Sequence, residues 1–465
     1  MTLAIFNNSI SGINAAMTNI QIAGHNIANV DTEGYSRQQS IALNKAPIRT
    51  AYGSIQIGQG VEIQSVTRIR NEYLDEEFRK SNENVGFYEI MSEGYLNIEN
   101  LFGEPSETSL SSNINNFWNS LSELSKNPEF IAERNVFIEA SMQMINNFKS
   151  ITSNLDTLMK NYNSSIDSTV SSINSLFSQI HTLNEDILKS EALGSEASDL
   201  RDQRDLLIDK LSSFVNIEVS DDSRGSKLIS IGGSLIVGEG IHKTIYAERN
   251  NLTNKIEFTA GEASSIPLNI NNGKLAGLVD MTENVIPNIK DKINSLLSSI
   301  ANEFNATHKK GFGLDGTTGL DFFISTDGGT ITIDNIAINQ EILDNPSKFA
   351  ASTSANYSGD NTNILNLLNL KDQTLIEISP GVNITFADYY NNLITGIGIQ
   401  SNNSSKLLNT YINTSNVADL NRMSVSGVNL DEELTNISAY QHAYNANARM
   451  VQVLDEMLTT LIDIF

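Results

Sequence analysis

Between positions 3 and 27 the apolar residues recur in alternating steps of three and four: Leu3, Phe6, Ile10, Ile13, Met17, Ile20, then Gly24 and Ile27. That spacing is the a/d seam of a heptad helix with one small residue in it. The other faces hold Asn, Ser, Thr, Gln and Ala, and positions 1–30 contain no Asp, Glu, Lys or Arg. A solvated coiled coil would carry charged e and g positions, so this helix reads as built for burial on several sides. An ordinary amphipathic core helix would show the same steps, and periodicity alone does not separate the two.

The last forty residues mirror the first thirty. Leu430, Ile437, Tyr444, Val451, Leu458 and Phe465 recur every seven. The second seam position drifts from Leu434 and Ala448 towards Leu454 and Leu461, as expected when 3.6 residues per turn meet a repeat of seven. Asp431, Glu432 and Glu433 suit the positive end of the helix dipole. Termini usually fray, so two heptad helices reaching the termini predict that the ends pair.

A longer seam lies inside, from Phe148 through Leu155 and Tyr162 to Ile166, Ile173, Ile180 and Ile187, with one extra four-step after Tyr162. A continuous helix there would reach about 60 Å, which predicts an elongated rod. Shorter helical patterns occupy 83–102, 108–126, 129–146, 197–213, 274–305 and 385–411. Residues 214–270 change to short β-like runs separated by Ser223-Arg224-Gly225, Gly232-Gly233 and Gly238-Glu239-Gly240. Smaller β patches fall at 54–70, 330–338 and 374–379. The expected fold is mainly α with a small β insertion: an elongated helical rod domain, paired N- and C-terminal coiled-coil helices and a short antiparallel β domain. The expected division is 1–40 with 424–465 as the terminal-helix domain, 41–213 with 271–423 as the helical middle, and 214–270 as the insertion.

Composition then removes whole classes of partner. Of 465 residues 40% are hydrophobic, enough for a packed core. Formal net charge is −25, which repels nucleic acid and anionic lipid, so neither nucleic acid nor membrane is expected as a partner. Charged residues make up only 18%, and Asn, Ser and Thr take their place, which suits surfaces that pack against copies of the chain. There is no cysteine for a disulfide, a thiolate metal site or a thiol nucleophile. No apolar run approaches the roughly 20 residues of a membrane span. The N-terminus lacks the basic and contiguous apolar regions of a secretory signal, so any export is expected to use another route.

No catalytic constellation stands out. The histidines at 25, 181, 242, 308 and 442 are scattered, with neither H-E-x-x-H nor G-x-S-x-G. Gly232–Gly240 lacks the Lys-Ser/Thr of a phosphate loop and reads as a hairpin turn. The stretch His308–Phe323 carries Asp315 and Asp321 without EF-hand spacing, and reads as a turn leading to a buried Phe322–Phe323 pair. In Asp199–Lys210, Arg201 and Asp205 stand four apart, which reads as surface ion pairing. No catalytic residue, metal ligand or cofactor is therefore assigned, and the chain is expected not to be an enzyme.

After the first helix comes Asn26-Ile27-Ala28-Asn29-Val30-Asp31-Thr32-Glu33-Gly34-Tyr35-Ser36-Arg37-Gln38. Asn29 and Gly34 tolerate turn backbone where a helix ends. This segment resembles the signature of bacterial flagellar axial proteins, the rod, hook and junction subunits. Its key positions are Asn26, Ala28, Asn29, Thr32, Gly34, Tyr35 and Arg37. The Gly-Tyr-Ser-Arg-Gln ending narrows the resemblance to the hook-associated junction members. Residues 199–211, 308–323 and 426–465 resemble further family stretches in the same order, so the resemblance covers the whole chain.

The resemblance implies a structural junction subunit in a ring of copies between hook and filament, on which the filament is built. It implies hook protein and the second hook-associated junction protein as neighbours. It also implies a FlgN-type export chaperone on the C-terminal helix, and an extracellular place reached by the flagellar type III route without a cleaved signal. Subunit assembly would fall to Leu3, Phe6, Ile10, Ile13, Met17, Ile20 and Ile27. Assembly and chaperone binding would fall to Leu430, Leu434, Ile437, Tyr444, Val451, Leu454, Leu458 and Leu461. Another axial subunit, either hook protein or the second junction protein, stays open as an alternative. A secreted adhesin or enzyme on a flagellar scaffold is a remote one and would need a catalytic cluster within 214–270.

Overall fold

The computed structural model describes residues 2–49, 56–192, 194–222, 224–261 and 266–464, with backbone alone at 2–4, 48, 49, 56, 57, 461 and 464. The chain opens with α1 (Thr2–Ala28), followed by β1 (Gln38–Asn44), β2 (Ile48–Arg49), β3 (Gln56–Ile57) and β4 (Val61–Arg68). Four helices follow: α2 (Glu72–Phe102), α3 (Leu110–Lys126), α4 (Ile131–Glu191) and α5 (Ser198–Phe214). The β insertion holds β5 (Glu218–Asp221), β6 (Lys227–Ile231), β7 (Ser234–Gly238), β8 (Ile241–His242), β9 (Ile245–Arg249), β10 (Ile256–Ala260) and β11 (Ile266–Leu268). Then come α6 (Gly273–Asp280), a five-residue π turn (Met281–Val285), α7 (Ile286–His308), β12 (Phe323–Ser325), β13 (Ile336–Ile338), α8 (Gln340–Asp344) and α9 (Thr362–Asn369). The chain closes with β14 (Ile376–Ser379), β15 (Val382–Ile384), α10 (Phe386–Ser426) and α11 (Leu430–Ile464).

Two of the expected helices are one. The patterns at 129–146 and 148–187 belong to the single 61-residue α4, because the stretch between them contains neither Gly nor Pro to stop it. Conversely, the pattern at 274–305 is broken by the π turn, after which Pro287 opens α7. The two terminal heptad segments are both helices, and α1 packs against α11. Of the β patch expected at 54–70, residues 54 and 55 lie outside the described residues, and β4 within it pairs with β1, which alternation alone did not reveal.

The chain divides into two compact units. The first comprises residues 1–86, 169–275 and 409–465. In it β5-β6-β7-β8 form one antiparallel sheet and β11-β10-β9 another. Gly232 and Gly233 both take positive φ in the β6–β7 hairpin, as a two-residue turn of that hand requires. Ile173, Phe177, Ile180 and Ile187 of α4, with Ile208 and Leu211 of α5, are buried, as are Ile229, Ile231, Ile236 and Val237 of the sheet.

The second unit comprises residues 87–168 and 276–408. Its core is aromatic. Phe117, Phe137, Phe304, Phe322, Phe323 and Phe349 are all buried, and Phe304 has Phe117, Phe137, Phe322 and Phe323 as ring neighbours at 5.2–6.0 Å. Phe322 and Phe323 are buried as the sequence predicts, meeting edge to face at 4.8 Å. Fully buried His308 donates from Nδ1 to the Leu320 carbonyl (2.8 Å) and accepts at Nε2 from the Ala350 N–H (3.0 Å). Burial pushes it down to about 4, so it is a neutral core group at neutral pH. Arg134 is equally buried and donates to three carbonyls, those of Pro128, Pro346 and Phe349.

One device recurs in both units. Asn26, Asn174, Asn184 and Asn305, each on a helix, donate from Nδ2 to the carbonyl of Gln38, Ile245, Lys227 and Phe323 respectively (2.7–2.9 Å). Each accepts at Oδ1 from the N–H of that same residue (2.8–3.1 Å). All four partners are the first residue of a strand. A primary amide offers the donor and acceptor of a peptide group, so each asparagine supplies the missing strand neighbour at a sheet corner. Part of the Asn content therefore serves the interior, whereas composition alone assigned it to surfaces.

Candidate assembly interface

The turn after α1 is built around Asn26, which is 1% exposed. Besides closing the pair with Gln38, its Oδ1 accepts from the Tyr35 hydroxyl at 2.7 Å. That hydroxyl in turn meets Nδ1 of His25 at 3.0 Å. Burial, with Asp199, Asp202 and Glu433 near it, pushes the Tyr35 phenol up, so it stays a donor. Asn29 ends the helix by donating to the His25 carbonyl (3.0 Å), and Thr32 donates to Asn29 (3.2 Å). Gly34 has φ of +81°, a backbone conformation that favours glycine, and a Cβ there would lie a tight 3.1 Å from Leu206. Ala28 and Thr32 themselves are exposed.

The turn is then clamped. The Ser36 N–H donates to Asp202 (3.0 Å) and the Arg37 N–H to the Ser426 carbonyl (2.8 Å). Arg37 donates from Nε to Glu433 (2.7 Å) and from Nη2 to Glu432 (2.8 Å), fixing the end of α1 to the start of α11. Opposite it, Gly427 terminates α10: a Cβ there would lie 2.4 Å from the Met423 carbonyl oxygen. Asn429 caps α11 by accepting from the N–H groups of Asp431 and Glu432.

Beneath the turn lies a buried ionic network that corrects the surface reading of 199–210. Asp202, Arg204, Asp205 and Asp209 are all buried. Arg201 pairs with Glu191 (2.7 Å), not with Asp205. Arg68 bridges Asp202 (2.7 Å) and Asp205 (3.0 Å), Arg70 grips Asp75 (2.7 Å), and Arg79 grips Asp209 (2.7 Å). Arg422 also binds Asp209 and lies over the Phe78 ring at 4.2 Å. Burial alone would raise Asp205, yet Arg70, Arg204, Arg68 and Arg79 together hold it well below the usual carboxylate range. Asp205 is thereby held as a carboxylate and is not poised to exchange protons. Among the described residues no group of three or more His, Asp or Glu side chains could hold a metal ion.

The two helices run antiparallel, since Arg37 reaches Glu433 while Gly12 faces Asn447. A Cβ on Gly12 would lie 2.7 Å from the Asn447 side chain, so the helices approach closely there. The heptad seam of α1 is split by this packing. Its inner side buries Ser9, Ala16, Ala23 and Asn26, while Phe6, Ile13, Ile20 and Ile27 lie half-buried on the flank. Ile10 and Met17 are 38% and 45% exposed. On α11 Leu454 is buried and Ile437, Tyr444 and Val451 are half-buried, but Leu430, Leu434 and Leu458 are exposed. The side chains of Leu3 and Leu461, and Phe465 altogether, lie outside the described residues. Sequence reasoning missed the second partner of α1. Asn19 of α1 accepts from Ser40 of β1 (2.6 Å), and α1 carries the β1–β4 pair along its side.

Comparison with known proteins bears on this geometry. Residues 95–323 match the family described as flagellar hook-associated protein FlgK helical domain. Residues 421–464 match the flagellar basal body rod FlgEFG protein C-terminal family. Flagellar hook-associated protein 1 of Bacillus subtilis is 32% identical, covering 97% of this chain and 96% of its own length. The protein of the same description from Salmonella typhimurium is 26% identical over 99% of this chain and all of its own length. The flagellar hook junction protein FlgK from Burkholderia pseudomallei has a solved structure that superposes with a TM-score of 0.65. It spans 77% of this chain and 100% of that one, at 13% identity, and so speaks for the fold alone.

Proposed function

Because the chain belongs to the flagellar hook-associated protein 1 family, we propose that the clamped terminal pair is the element through which it enters the flagellum. The chain is a structural subunit of the hook–filament junction and associates with other axial components. The finer reading is a ring of copies at the distal end of the hook, touching hook protein on one side and the second hook-associated junction protein on the other. In that ring the terminal pair faces the export channel. Before assembly a FlgN-type chaperone covers α11, and delivery to the cell exterior follows the flagellar type III route. No reaction is assigned: the chain works as a joint and not as an enzyme.

The observation that carries this reading is the apolar surface on the pair. Ile10 and Met17 on α1, with Leu434 and Leu458 on α11, stand at heptad positions and are 38–56% exposed. Exposed apolar side chains at seam spacing mark a surface that another helix covers. The acidic clamp at Arg37 serves that surface by holding the two helices in one register. The test is deletion of the gene followed by electron microscopy of the cells. Hooks without filaments, with flagellin lost to the medium, are expected; intact filaments would exclude the junction role.

A further inference from the structure

α11 carries a second apolar stripe that its pairing with α1 leaves untouched. It runs Ala439, Ala443, Ala446, Met450, Val453 and Met457, in steps of four and three, and every member is exposed. Met450, Val453 and Met457 are 47%, 48% and 54% exposed. At 3.6 residues per turn this stripe stands about 120° round the helix from Ile437, Tyr444, Val451 and Leu454, the side turned to α1. α1 has a free stripe as well. Ile10, Met17 and Gly24 are exposed, about 110° from the inner residues Gly12, Ala16 and Ala23.

We propose that the Ile10–Met17–Gly24 stripe of one copy seats on the 439–457 stripe of the next. This rests on the assembly role above and assigns its faces. Charge selects the occupant. Each chain carries a net −25, so two copies repel over most of their surfaces. α1 has no Asp, Glu, Lys or Arg from Thr2 to Ala28, so it is where a second copy approaches without like-charge cost. Symmetry selects the pairing. α11 against α11 would join the same patch on both copies and close a dimer, whereas α1 against α11 leaves one stripe of each kind free to continue. The inner and outer faces of α11 are separate, so the second copy binds without opening the pair within each chain.

The absence of cysteine makes the contact readable, because the introduced thiols are the only ones in the chain. Met17→Cys is combined in turn with Ala446→Cys, Met450→Cys and Val453→Cys in the full chain. Flagella isolated from the producing cells are oxidised and run without reductant. At least one pair is expected to give dimers and a ladder of higher multiples, with each single variant remaining monomeric. The proposal is overturned if flagella containing the double variants give no product, or if Met17→Cys or any α11 cysteine alone links equally well. A product of any other mass, meaning a different protein on the stripe, overturns it too. Should the paired variants be kept out of flagella, Ala443→Glu decides. It is harmless on an exposed face of the free chain but is expected to lower incorporation at least tenfold, with unchanged helix content. Incorporation at the wild-type level would refute the contact. Locating the unaltered chain by labelled microscopy separates the two readings. Its absence from the hook–filament junction defeats the junction role, while its presence without cross-links defeats only the assignment of faces.

Discussion

The second compact unit and the terminal helix pair of the first solve the burial problem in opposite ways. The second unit gathers six phenylalanines into one core and covers even a histidine and an arginine. In the terminal pair α1 buries only the small Ser9, Ala16 and Ala23 and brings Gly12 up to Asn447, with the larger apolar groups left half-buried or exposed. One region closes on itself; the other has the surface of half an interface. The contrast teaches that stability and assembly are separable here. A substitution in the aromatic core should lower stability wherever the chain is, whereas one on the pair's outer face should matter only in an assembly.

The sharpest way to break this contrast is Phe304→Ala. Removing a ring enclosed by four others leaves a cavity and should cost about 3–5 kcal/mol. Denaturant titration of the purified chain would measure it, and a loss under about 1 kcal/mol would mean that the core is loosely packed. Next in size is a pH effect. His308 titrates near 4 when folded, below its ordinary value of about 6.5, so the unfolded chain binds the proton more readily. Stability contributed by the neutral ring is complete above about pH 6.5 and falls, by up to about 3 kcal/mol, as pH drops towards 4. His308→Gln should remove that slope from the difference between the two proteins. Glu83 in the first unit has the opposite sign. Burial pushes it up to about 7, so its folded form keeps a proton that the unfolded chain has lost, and stability falls as pH rises from about 4.5 to 7. A stability profile of Glu83→Gln that parallels the wild type through that window would dismiss this assignment.

A third comparison uses the two asparagines that do one job in the two regions. Asn305→Leu strands the amides of Phe322 and Phe323 and the carbonyl of Phe323 in the core. About 2–3 kcal/mol should be lost, spread over the whole second unit. Asn26→Leu strands the Gln38 peptide and frees Tyr35, and its effect should stay local. Hydrogen exchange would then quicken over residues 2–44 and not elsewhere. Uniform quickening after Asn26→Leu would show that the pair and the rest of its unit unfold together.

These differences also mark what the sequence disclosed. The terminal helices were legible because seven-residue spacing survives any packing, and the Phe322–Phe323 pair because two adjacent aromatics after a glycine turn have few other places to go. Which side of α1 faces α11 was not legible. Close approach used glycine, serine and alanine, which carry no hydrophobic signal, and the seam isoleucines went to the flank or, at Ile10, to the outside. The ionic network was hidden for another reason. Asp202, Asp205 and Asp209 read as a solvated helix face, and the arginines that bury them come from positions 68, 70, 79 and 422. The signature after α1 was recognisable as a pattern, but the role of Asn26 as a surrogate strand neighbour depends on Gln38 twelve residues away.

The smallest expected effect on stability is also the most telling. Leu458 lies among the exposed side chains of α11, so Leu458→Asp leaves the packed interior of the free chain intact. Surface changes of this kind alter stability by about 0.5 kcal/mol or less, and denaturant midpoints should nearly coincide with the wild type. Within an assembly the same carboxylate would be buried without a partner, a penalty of several kcal/mol. Incorporation and motility should therefore fail while the free protein remains as stable as before. If stability dropped instead, α11 would depend on contacts within its own chain. If motility were normal, Leu458 would still face water in the flagellum, and the half-interface would have to lie on another part of the pair.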